Sequence, residues 1–324
     1  MRFILRRAGF YLTAAWASIT LAFFIPRMMP GDPAAMMFAR FHGKLSPEAM
    51  LALRSAFGFT DAPLWKQYFQ YLAHIARGDL GISIGYYPAT VGSVIGQALL
   101  WTVFLSGLAV VLSFTIGTLL GIASVWKRGG WLDNIAPPVL TLLGAFPYFW
   151  LAMASLFVFG FGLGWFPLRH AYDDRFTPAF SWPFIRSVFE HAILPAATVV
   201  VVTVGGWMLS MRSTLINVLA EDYILFAHAK GLRPGRIMFQ YAARNALLPN
   251  ITGFGMALGF VLSGSLLTEM VFSYPGQGYL LIRAVKSLDY PLIQGLFLTT
   301  TLAVLGANLL VDMVYVWLDP RTRS

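Results

Sequence analysis

Long stretches without a charged residue alternate with shorter polar segments along this chain. Windows of 19 or more residues without Asp, Glu, Lys or Arg occur six times, at 8–26, 80–126, 134–168, 191–211, 245–268 and 290–311. About 20 apolar residues in a helix span the core of a bilayer, and a helix satisfies its own backbone polar groups there. The pattern predicts an all-α membrane protein with six transmembrane helices, at roughly 9–29, 99–125, 135–162, 191–211, 247–271 and 292–317.

Composition excludes the main alternative, a large soluble helical core. Hydrophobic residues make up 58% of the 324 residues and charged residues 11%, whereas a soluble domain has about 45–50% and about 25%. A soluble core would also need charged outer faces on most of these helices, and the windows contain none. Because the chain has no cysteine, disulfides and thiolate metal sites are excluded as well.

The basic residues indicate how the chain crosses the membrane. The basic start MRFILRR resembles a signal peptide, but the apolar run that follows is longer than the usual ~7–15 residues and lacks a small-residue cleavage site, so we expect it to be retained. With the N-terminus inside, the inner segments hold 12 of the 23 Lys and Arg residues in about 60 residues, against 11 in about 120 outer residues. This density favours cytoplasmic termini, and the net charge of +9 then reflects orientation and not nucleic-acid binding.

The same pattern divides the chain into four segments. They are an N-terminal segment with the first span (1–30), an extracytoplasmic region with short helices (31–97), a five-helix core (98–318) and a cytoplasmic tail (319–324). In the second segment, Ser46 and Pro47 predict the start of a short helix. An amphipathic helix is predicted at 63–78, lying on the outer membrane surface or capping the bundle. Its apolar face consists of Trp65, Tyr68, Phe69, Leu72 and Ile75.

Two GxxxG spacings lie within the predicted spans. Gly117 with Gly121 and Gly255 with Gly259 place small residues one turn apart. Small residues let helices approach closely in lipid, so plain helix packing explains them fully.

A basic, kinked segment, EDYILFAHAKGLRPGRIMFQYAARNALLP at 221–249, separates two apolar runs. Gly231 predicts the end of a first short helix, and Pro234 prevents that helix from continuing. Helical spacing predicts one face on each side of this corner: Tyr223, Phe226, Ala227 and Lys230 before it, and Ile237, Met238, Tyr241, Asn245 and Leu248 after it.

Two functions fit this corner on physical grounds. A basic helix beside a membrane binds anionic headgroups, at about 1 kcal/mol per Lys or Arg. A compact corner can instead insert into a groove of a cytoplasmic protein. Small Ala227 and Ala229 beside a fixed turn suggest steric fit, but the residues alone leave both functions open.

Eight short strings in this sequence resemble one family. FAHAKGL (226–232) followed by RNALLP (244–249) resembles the coupling-loop (EAA) motif of ABC importer permeases, in its dipeptide/oligopeptide version. Further family-like strings occur in the expected order: PGDP (30–33), GDLGIS (78–83), LGWFP (163–167), EMVFSYPGQG (269–278), DYPLIQG (289–295) and LDPRTR (318–323). The chain is thus similar to the permease subunits of bacterial peptide-type ABC importers, which implies the type I importer permease fold in the plasma (inner) membrane.

The resemblance also implies partners and roles. Such a subunit forms half of a translocation pathway with a second, paralogous permease subunit. Two ABC ATPase subunits bind ATP and Mg²⁺, an extracytoplasmic binding protein delivers substrate, membrane lipid surrounds the assembly, and this chain binds no cofactor. The coupling loop, at about 215–246, would contact the ATPase through Glu221, Asp222, Tyr223, Ala227, Ala229, Lys230, Gly231, Leu232 and Arg233. The glutamate that names the motif is absent, and its place is near Leu225.

Motifs for catalysis are missing from the sequence. The dipeptide Gly43-Lys44 is followed by Leu45 and has no glycine five residues earlier, so it is not a P-loop. No HExxH occurs, and Ser263 and Ser265 have no histidine partner in view. We therefore predict no catalytic residue and no metal site, and expect energy to come from partner ATPases through alternating access.

Few residues are candidates for lining the substrate pathway. Thr301, Asn308 and Asp312 form one polar stripe on the last predicted helix. Intramembrane acids are functional candidates, but Asn308 and Asp312 are one turn apart and can bond each other or a neighbouring helix, an interpretation we favour. Pro147, in the cluster AFPYFW, would kink or gate the path or pack in the core.

The residues leave alternatives for the cargo and for the class of transport protein. Peptides fit the resemblance best, but similar permeases carry nickel complexes or oligosaccharides, and no residue discriminates among these. A stand-alone channel or secondary transporter is disfavoured, since no inverted repeat or pair of midplane charges is visible. The coupling corner would also have no purpose in such a protein.

Overall fold

The computed structural model of the chain describes residues 2–29, 62–261 and 266–318. In these ranges the protein is helical, and its sole β-type pairing there is an isolated antiparallel bridge between Ile82 and Thr90. The short helix predicted from Ser46 and Pro47 lies outside the described residues. The all-α prediction is confirmed for the part that the structure describes.

In chain order the helices are α1 Arg2–Arg27, α2 Leu64–Ala76, α3 Val91–Trp126, α4 Trp131–Ala145, α5 Tyr148–Ser155, α6 Trp182–Leu219, α7 Asp222–Ala229, α8 Pro234–Arg236, α9 Ala243–Val261, α10 Leu266–Val271, α11 Gln277–Lys286 and α12 Tyr290–Leu318. A π-helical segment, Leu156–Gly162, continues α5, and a second one, Ile237–Ala242, joins α8 to α9.

Several helices are long and apolar enough to cross a membrane. By length and composition they are Gly9–Arg27, Val91–Trp126, Trp182–Leu219 and Tyr290–Leu309. The bent pair formed by α4 and by α5 with its π-helical extension gives a fifth, if the pair is one span. The span predicted at 247–271 is divided between α9 and α10 around residues 262–265, which are not described. That this segment crosses the membrane, and that the chain has six spans, stay predictions.

The third predicted span is not one straight helix. Its two arms are bent by 93°, and the break falls at Phe146 and Pro147, where Phe146 takes an extended conformation with ψ 138°. Proline disfavours helical geometry in the residue before it, which explains this position. Phe146 is 42% and Trp150 60% exposed. The span predicted over 135–162 is therefore broken at this point, which agrees with the kink expected from Pro147. Packing in the core of this chain does not explain these two aromatic rings.

The chain divides into two compact units by its internal contacts. The first unit comprises 1–102, 262–266 and 275–306, and the second 103–261, 267–274 and 307–324. The four segments predicted from the sequence concern the course of the chain through a membrane, and they stay a prediction.

In the first unit, α2 packs against the end of α1, as expected for a capping helix. The hydroxyls of Thr20 and Tyr68 are hydrogen-bonded at 2.8 Å, and the Tyr68 ring meets Phe23 edge-on at 5.3 Å. Trp65 and Phe69 remain 66% and 64% exposed. The helix predicted at 63–78 is confirmed, but its predicted single apolar face is split between a packed side and an exposed side.

A buried carboxylate joins two of the family-like strings in this unit. Asp289, from DYPLIQG, is fully buried and accepts hydrogen bonds from the Ser83 hydroxyl at 2.5 Å and the Gly85 N–H at 2.7 Å. Its other oxygen accepts from the N–H of Leu292 at 3.2 Å, in the first turn of α12. Asp289 is thus an N-cap that also anchors the loop containing GDLGIS.

The second unit contains a close approach between α3 and α6. A Cβ added at Gly117 would lie 2.7 Å from the Val204 carbonyl oxygen, and one at Gly121 would lie 2.8 Å from that of Met208. Since real Cβ atoms do not come so close, only glycine permits this packing. The first GxxxG prediction is confirmed. Of the second pair, Gly255 has open space around it, whereas a Cβ at Gly259 would lie 2.9 Å from the Ala307 Cβ. The second prediction is therefore confirmed at Gly259 only.

Candidate functional site

The corner predicted between α6 and α9 is present. Glu221 precedes α7 with an extended backbone, φ −74° and ψ 145°, and Asp222 begins the helix. An acid in the first turn of a helix is favourable because the helix dipole is positive there. The helix α7 has eight residues, so little of its stability can come from its own backbone bonds.

A Schellman motif ends α7. Gly231 has φ +70°, a conformation that a side chain would strain. Its N–H donates to the carbonyl of His228 at 2.9 Å, and the N–H of Leu232 donates to that of Ala227 at 3.3 Å. These two bonds satisfy carbonyls at the helix end. The helix end predicted at Gly231 is confirmed.

The chain then turns back towards the bundle. Arg233 is extended, with φ −60° and ψ 137°, and Pro234 occupies the first position of α8. Proline is well suited to that position, because its fixed φ is helical and its missing N–H has no partner there anyway. The π-helical segment Ile237–Ala242 then leads into α9.

The corner has a hydrophobic core of its own, which we call the corner core. The buried residues of the corner core are Val125, Met211, Leu215, Ile224, Ala227, Ile237, Met238, Ala242, Ala243 and Ala246. From α7 come Ile224 and Ala227, which are 1% and 4% exposed, and Leu232 packs against them from the turn. Burying a side chain such as Ile224 contributes about 1.5–3 kcal/mol. Packing therefore holds α7 in place.

Of the face predicted on α7, the structure buries Ala227 and leaves Tyr223, Phe226 and Lys230 exposed. The structure buries Ile224 and Ala227, while Phe226 is 68% exposed. The inward stripe is completed by Leu232, which the Schellman turn brings back to the core. Tyr223 and Phe226 each precede a buried residue by one position, and therefore lie about 100° away from it around the helix.

The face predicted after the corner is right only at its beginning. Ile237 and Met238 are buried as expected, but the later buried residues are Ala242, Ala243 and Ala246. The predicted Asn245 and Leu248 are exposed. A π-helical turn contains an additional residue, so the apolar positions after it no longer follow the α-helical spacing.

One side of α7 points away from the corner core. We call Asp222, Leu225, Phe226 and Ala229 the outer face of α7. All four are exposed, and Leu225 and Phe226 are 71% and 68% exposed. Adjacent large apolar side chains on a rigid, exposed element are typical of protein interaction sites.

The polar residues of the corner are little used within the chain. In the described ranges, Glu221, Asp222, Lys230 and Arg233 make no ion pair, and all are exposed. Elsewhere in the corner, the Tyr223 hydroxyl accepts a hydrogen bond from the Asn245 amide at 3.0 Å, and Nε of Arg236 donates to Oε1 of Gln240 at 3.0 Å. These charges are therefore available to a partner.

The residues predicted for a pathway do not join the corner. Pro147 is exposed at the bend between α4 and α5, and Asn308 is half-buried on α12. Asp312 also lies on α12, but its side chain is outside the described part. Among the described residues, no group of three or more His, Asp or Glu side chains could hold a metal ion.

An ion pair beside the corner was not predicted from the sequence. Asp133, on α4, is 8% exposed, and its Oδ1 accepts a hydrogen bond from Nε of Arg212 at 2.7 Å. The N–H of Gly129 donates to Oδ2 at 3.0 Å. The available signal was a lone acid just after a Gly-Gly pair in a chain with few charges, which is too weak to predict a partner 79 residues away.

Comparisons with known proteins agree with this architecture. The sequence model of the family described as binding-protein-dependent transport system inner membrane component matches residues 113–324. The chain is 34% identical to the di/tripeptide transport system permease protein DppB of Pseudomonas aeruginosa (strain UCBPP-PA14), over 100% of this chain and 99% of the relative. It is 33% identical to the dipeptide transport system permease protein DppB of Escherichia coli (strain K12), again over 100% and 99%.

A third relative carries a different peptide in its name. The probable D,D-dipeptide transport system permease protein DdpB of Escherichia coli (strain K12) is 32% identical, over 98% of this chain and 96% of the relative. These similarities extend over nearly the whole length of both chains, and the family match includes the entire corner. This protein therefore belongs to the family of inner membrane components of binding-protein-dependent transport systems.

Proposed function

We propose that this chain is a permease subunit of an ATP-driven peptide importer, and that its corner docks onto an ATPase subunit. The observation that carries the docking is the outer face of α7. The corner core fixes α7, and the helix then presents Leu225 and Phe226 to the outside. A rigid helix with exposed apolar side chains fits a groove in a partner, in the way that helix-in-groove recognition works.

Headgroup binding, the alternative function of the corner, is less well supported. Attraction to anionic lipid requires charge but neither a Schellman turn nor a dedicated core. Here the two most exposed large side chains of α7, Leu225 and Phe226, are apolar. Charges of both signs, Asp222 and Lys230, flank them. Leu225 lies near the place of the motif's glutamate. A partner would therefore contact an aliphatic side chain at this position and could not form a salt bridge with it.

The topology proposed for this function has six spans and both termini in the cytoplasm. The bent pair α4–α5 then forms the third span, and α9 with α10 the fifth. The corner lies on the cytoplasmic side, where basic residues are denser. This placement brings the outer face of α7 to the compartment in which ATP is available.

The proposed partners follow from the family. A second, paralogous permease subunit supplies the other half of the pathway. Two ATPase subunits hold ATP and Mg²⁺, and an extracytoplasmic binding protein delivers the cargo. ATP and cargo must each favour particular states of one bistable bundle for transport to be coupled. The proposed candidates for lining the path are Asn308, Asp312 and the bend at Pro147. For Asn308 and Asp312 the alternative is a role in helix packing.

Peptides are the proposed cargo because the three relatives above are named for the transport of dipeptides, di/tripeptides or D,D-dipeptides. Nickel complexes or oligosaccharides are the alternatives within the same class. Family membership disfavours a stand-alone channel or secondary transporter, since the family is defined by dependence on a binding protein.

The docking is tested by co-purification in mild detergent from the native cell. We expect a P-loop ATPase and a second permease to accompany the wild-type chain. Phe226→Ser should reduce the bound ATPase by at least about tenfold, because truncating a central apolar anchor commonly costs 2 kcal/mol or more. Since Phe226 is 68% exposed, the substitution should leave the fold intact.

The matched control is Phe180→Ser, which removes an equally large side chain from a fully exposed position outside the corner. It should retain the ATPase at the wild-type level. Equal retention by Phe226→Ser and wild type, or a wild-type chain that purifies alone, would contradict docking at α7.

A further inference from the structure

The ion pair between Asp133 and Arg212 connects two parts of the second unit that are distant in sequence. Asp133 lies in the first turn of α4, directly after the turn that joins α3 to α4. Arg212 lies on α6, the helix that leads into the corner. Both oxygens of the carboxylate are used, one by Arg212 at 2.7 Å and the other by the Gly129 N–H at 3.0 Å. The carboxylate therefore links the α3–α4 turn to the stem of the corner.

The position of Arg212 on α6 places this link next to the corner core and to α3. Its neighbour Met211 and the residue one turn later, Leu215, both belong to the corner core. On the other side of this stretch, α3 lies so close that a Cβ at Gly121 would be 3.2 Å from the Arg212 nitrogen. The stem of α6 is thus packed against α3, bonded to α4 through Asp133, and continuous with the corner core.

The pair is of the kind that resists separation. Asp133 is 8% exposed, and the side chain of Arg212 is 29% exposed. Removing one partner of such a partly buried pair leaves the other charge with little compensation, so breaking this pair costs more than breaking a surface pair. Apolar contacts alone lack this directionality and allow one helix to slide along another.

We propose that Asp133 and Arg212 are positioning residues for ATP coupling, which make the α3–α4 turn move together with α6 and the corner. This inference rests on the proposed function, because it assumes that the ATPases displace the corner. The displacement of the corner is then transmitted to α4, and from α4 to α5, through the ion pair as well as through packing. Neither residue contacts the ATPase or the cargo in this account.

Distance measurements between spin labels test this role directly. The chain has no cysteine, so labels can be attached at Lys127→Cys, in the α3–α4 turn, and at His228→Cys, on α7. Both positions are exposed. The full transporter is measured in lipid nanodiscs, without nucleotide and after trapping with ATP and vanadate. A reference pair, Phe180→Cys with His228→Cys, reports whether nucleotide moves the corner.

In the wild-type background we expect the reference distance to change on trapping, while the distance between positions 127 and 228 stays the same. In Asp133→Asn the distance between 127 and 228 should change on trapping or broaden. If Asp133→Asn does not assemble, Arg212→Lys takes its place, since lysine keeps the charge but lacks the fork that arginine presents. Glu190→Gln, which removes the exposed pair with Arg186, is the matched control and should behave as wild type.

The outcomes separate this inference from the function on which it rests. A reference distance that does not respond to nucleotide would overturn the proposed coupling at the corner, and this inference with it. A responding reference distance, together with a wild-type 127–228 distance that also shifts, would overturn the inference alone. The same holds if Asp133→Asn and Arg212→Lys both keep the unchanged 127–228 distance of the wild type.

Discussion

Leu225 and Phe226 are the residues on which the proposed docking depends most. Both side chains are mostly exposed, although the same short helix buries Ile224 and Ala227 beneath them. A large apolar side chain in water gains nothing from exposure, whereas its burial on binding contributes about 1.5–3 kcal/mol. At the residue scale α7 therefore has one side packed in the corner core and one exposed side, which is the side proposed to meet a partner.

Asp289 leads to a prediction about stability. Asp289→Ala should lower the free energy of unfolding by at least about 2 kcal/mol, because the Ser83 hydroxyl and the Gly85 N–H lose their acceptor and α12 loses its N-cap. The thermal unfolding midpoint in detergent measures this. Asp174→Ala is the control, since Asp174 is 73% exposed and pairs only with His170. Equal midpoints for the two variants would refute a structural role of Asp289.

The contact between α3 and α6 allows a prediction at the scale of elements. Gly121→Ala should lower the unfolding midpoint, because its Cβ would lie 2.8 Å from both the Met208 carbonyl oxygen and the Met211 Cβ. Overpacking of this kind typically costs about 1–3 kcal/mol.

The control comes from the other GxxxG pair. A Cβ at Gly255 meets nothing within 4 Å, and alanine in a helix at an unstrained position stabilises by about 0.4–1 kcal/mol. Gly255→Ala should therefore leave the midpoint unchanged or raise it. If both variants shift the midpoint equally, the close approach of α3 and α6 is not what constrains Gly121.

Elements with a local cause could be predicted from the sequence, and elements with a distant cause could not. The helix end at Gly231 and the helix over Leu64–Ala76 follow from residues within a few positions, and both are confirmed. The buried side of α7 could not be predicted, because the inward stripe is completed by Leu232, beyond the helix end. The π-helical segment Ile237–Ala242 displaced the second face.

The bend at Pro147 and the pair of Asp133 with Arg212 show the same limit. Proline indicated a kink, but the angle of 93° depends on how both arms pack. An ion pair between α4 and α6 needs a fold before it can be recognised, since neither residue belongs to a motif. The family-like strings at 78–83 and 289–295 are far apart in sequence, and only the structure shows that Asp289 bonds to the loop containing the first of them.

At the scale of the whole molecule, the chain is an inner membrane component that depends on a binding protein. Such a component is a transport subunit, and in the proposed function its energy comes from partner ATPases. The corner is the element proposed to receive this energy, because it joins two long helices, α6 and α9, and its buried residues form one packed cluster. The proposed peptide cargo and the proposed ATPase contact then describe the two ends of one coupled process.

Site-specific photo-crosslinking from Leu225 tests the central claim most directly. Leu225 is replaced by benzoylphenylalanine in the full complex in native membranes, and the adducts are identified by mass spectrometry. Position 180, fully exposed outside the corner, serves as the control. The account predicts an adduct between position 225 and a P-loop ATPase, and no such adduct from position 180. Adducts of position 225 with lipid alone, in membranes where the ATPase is present, would contradict it.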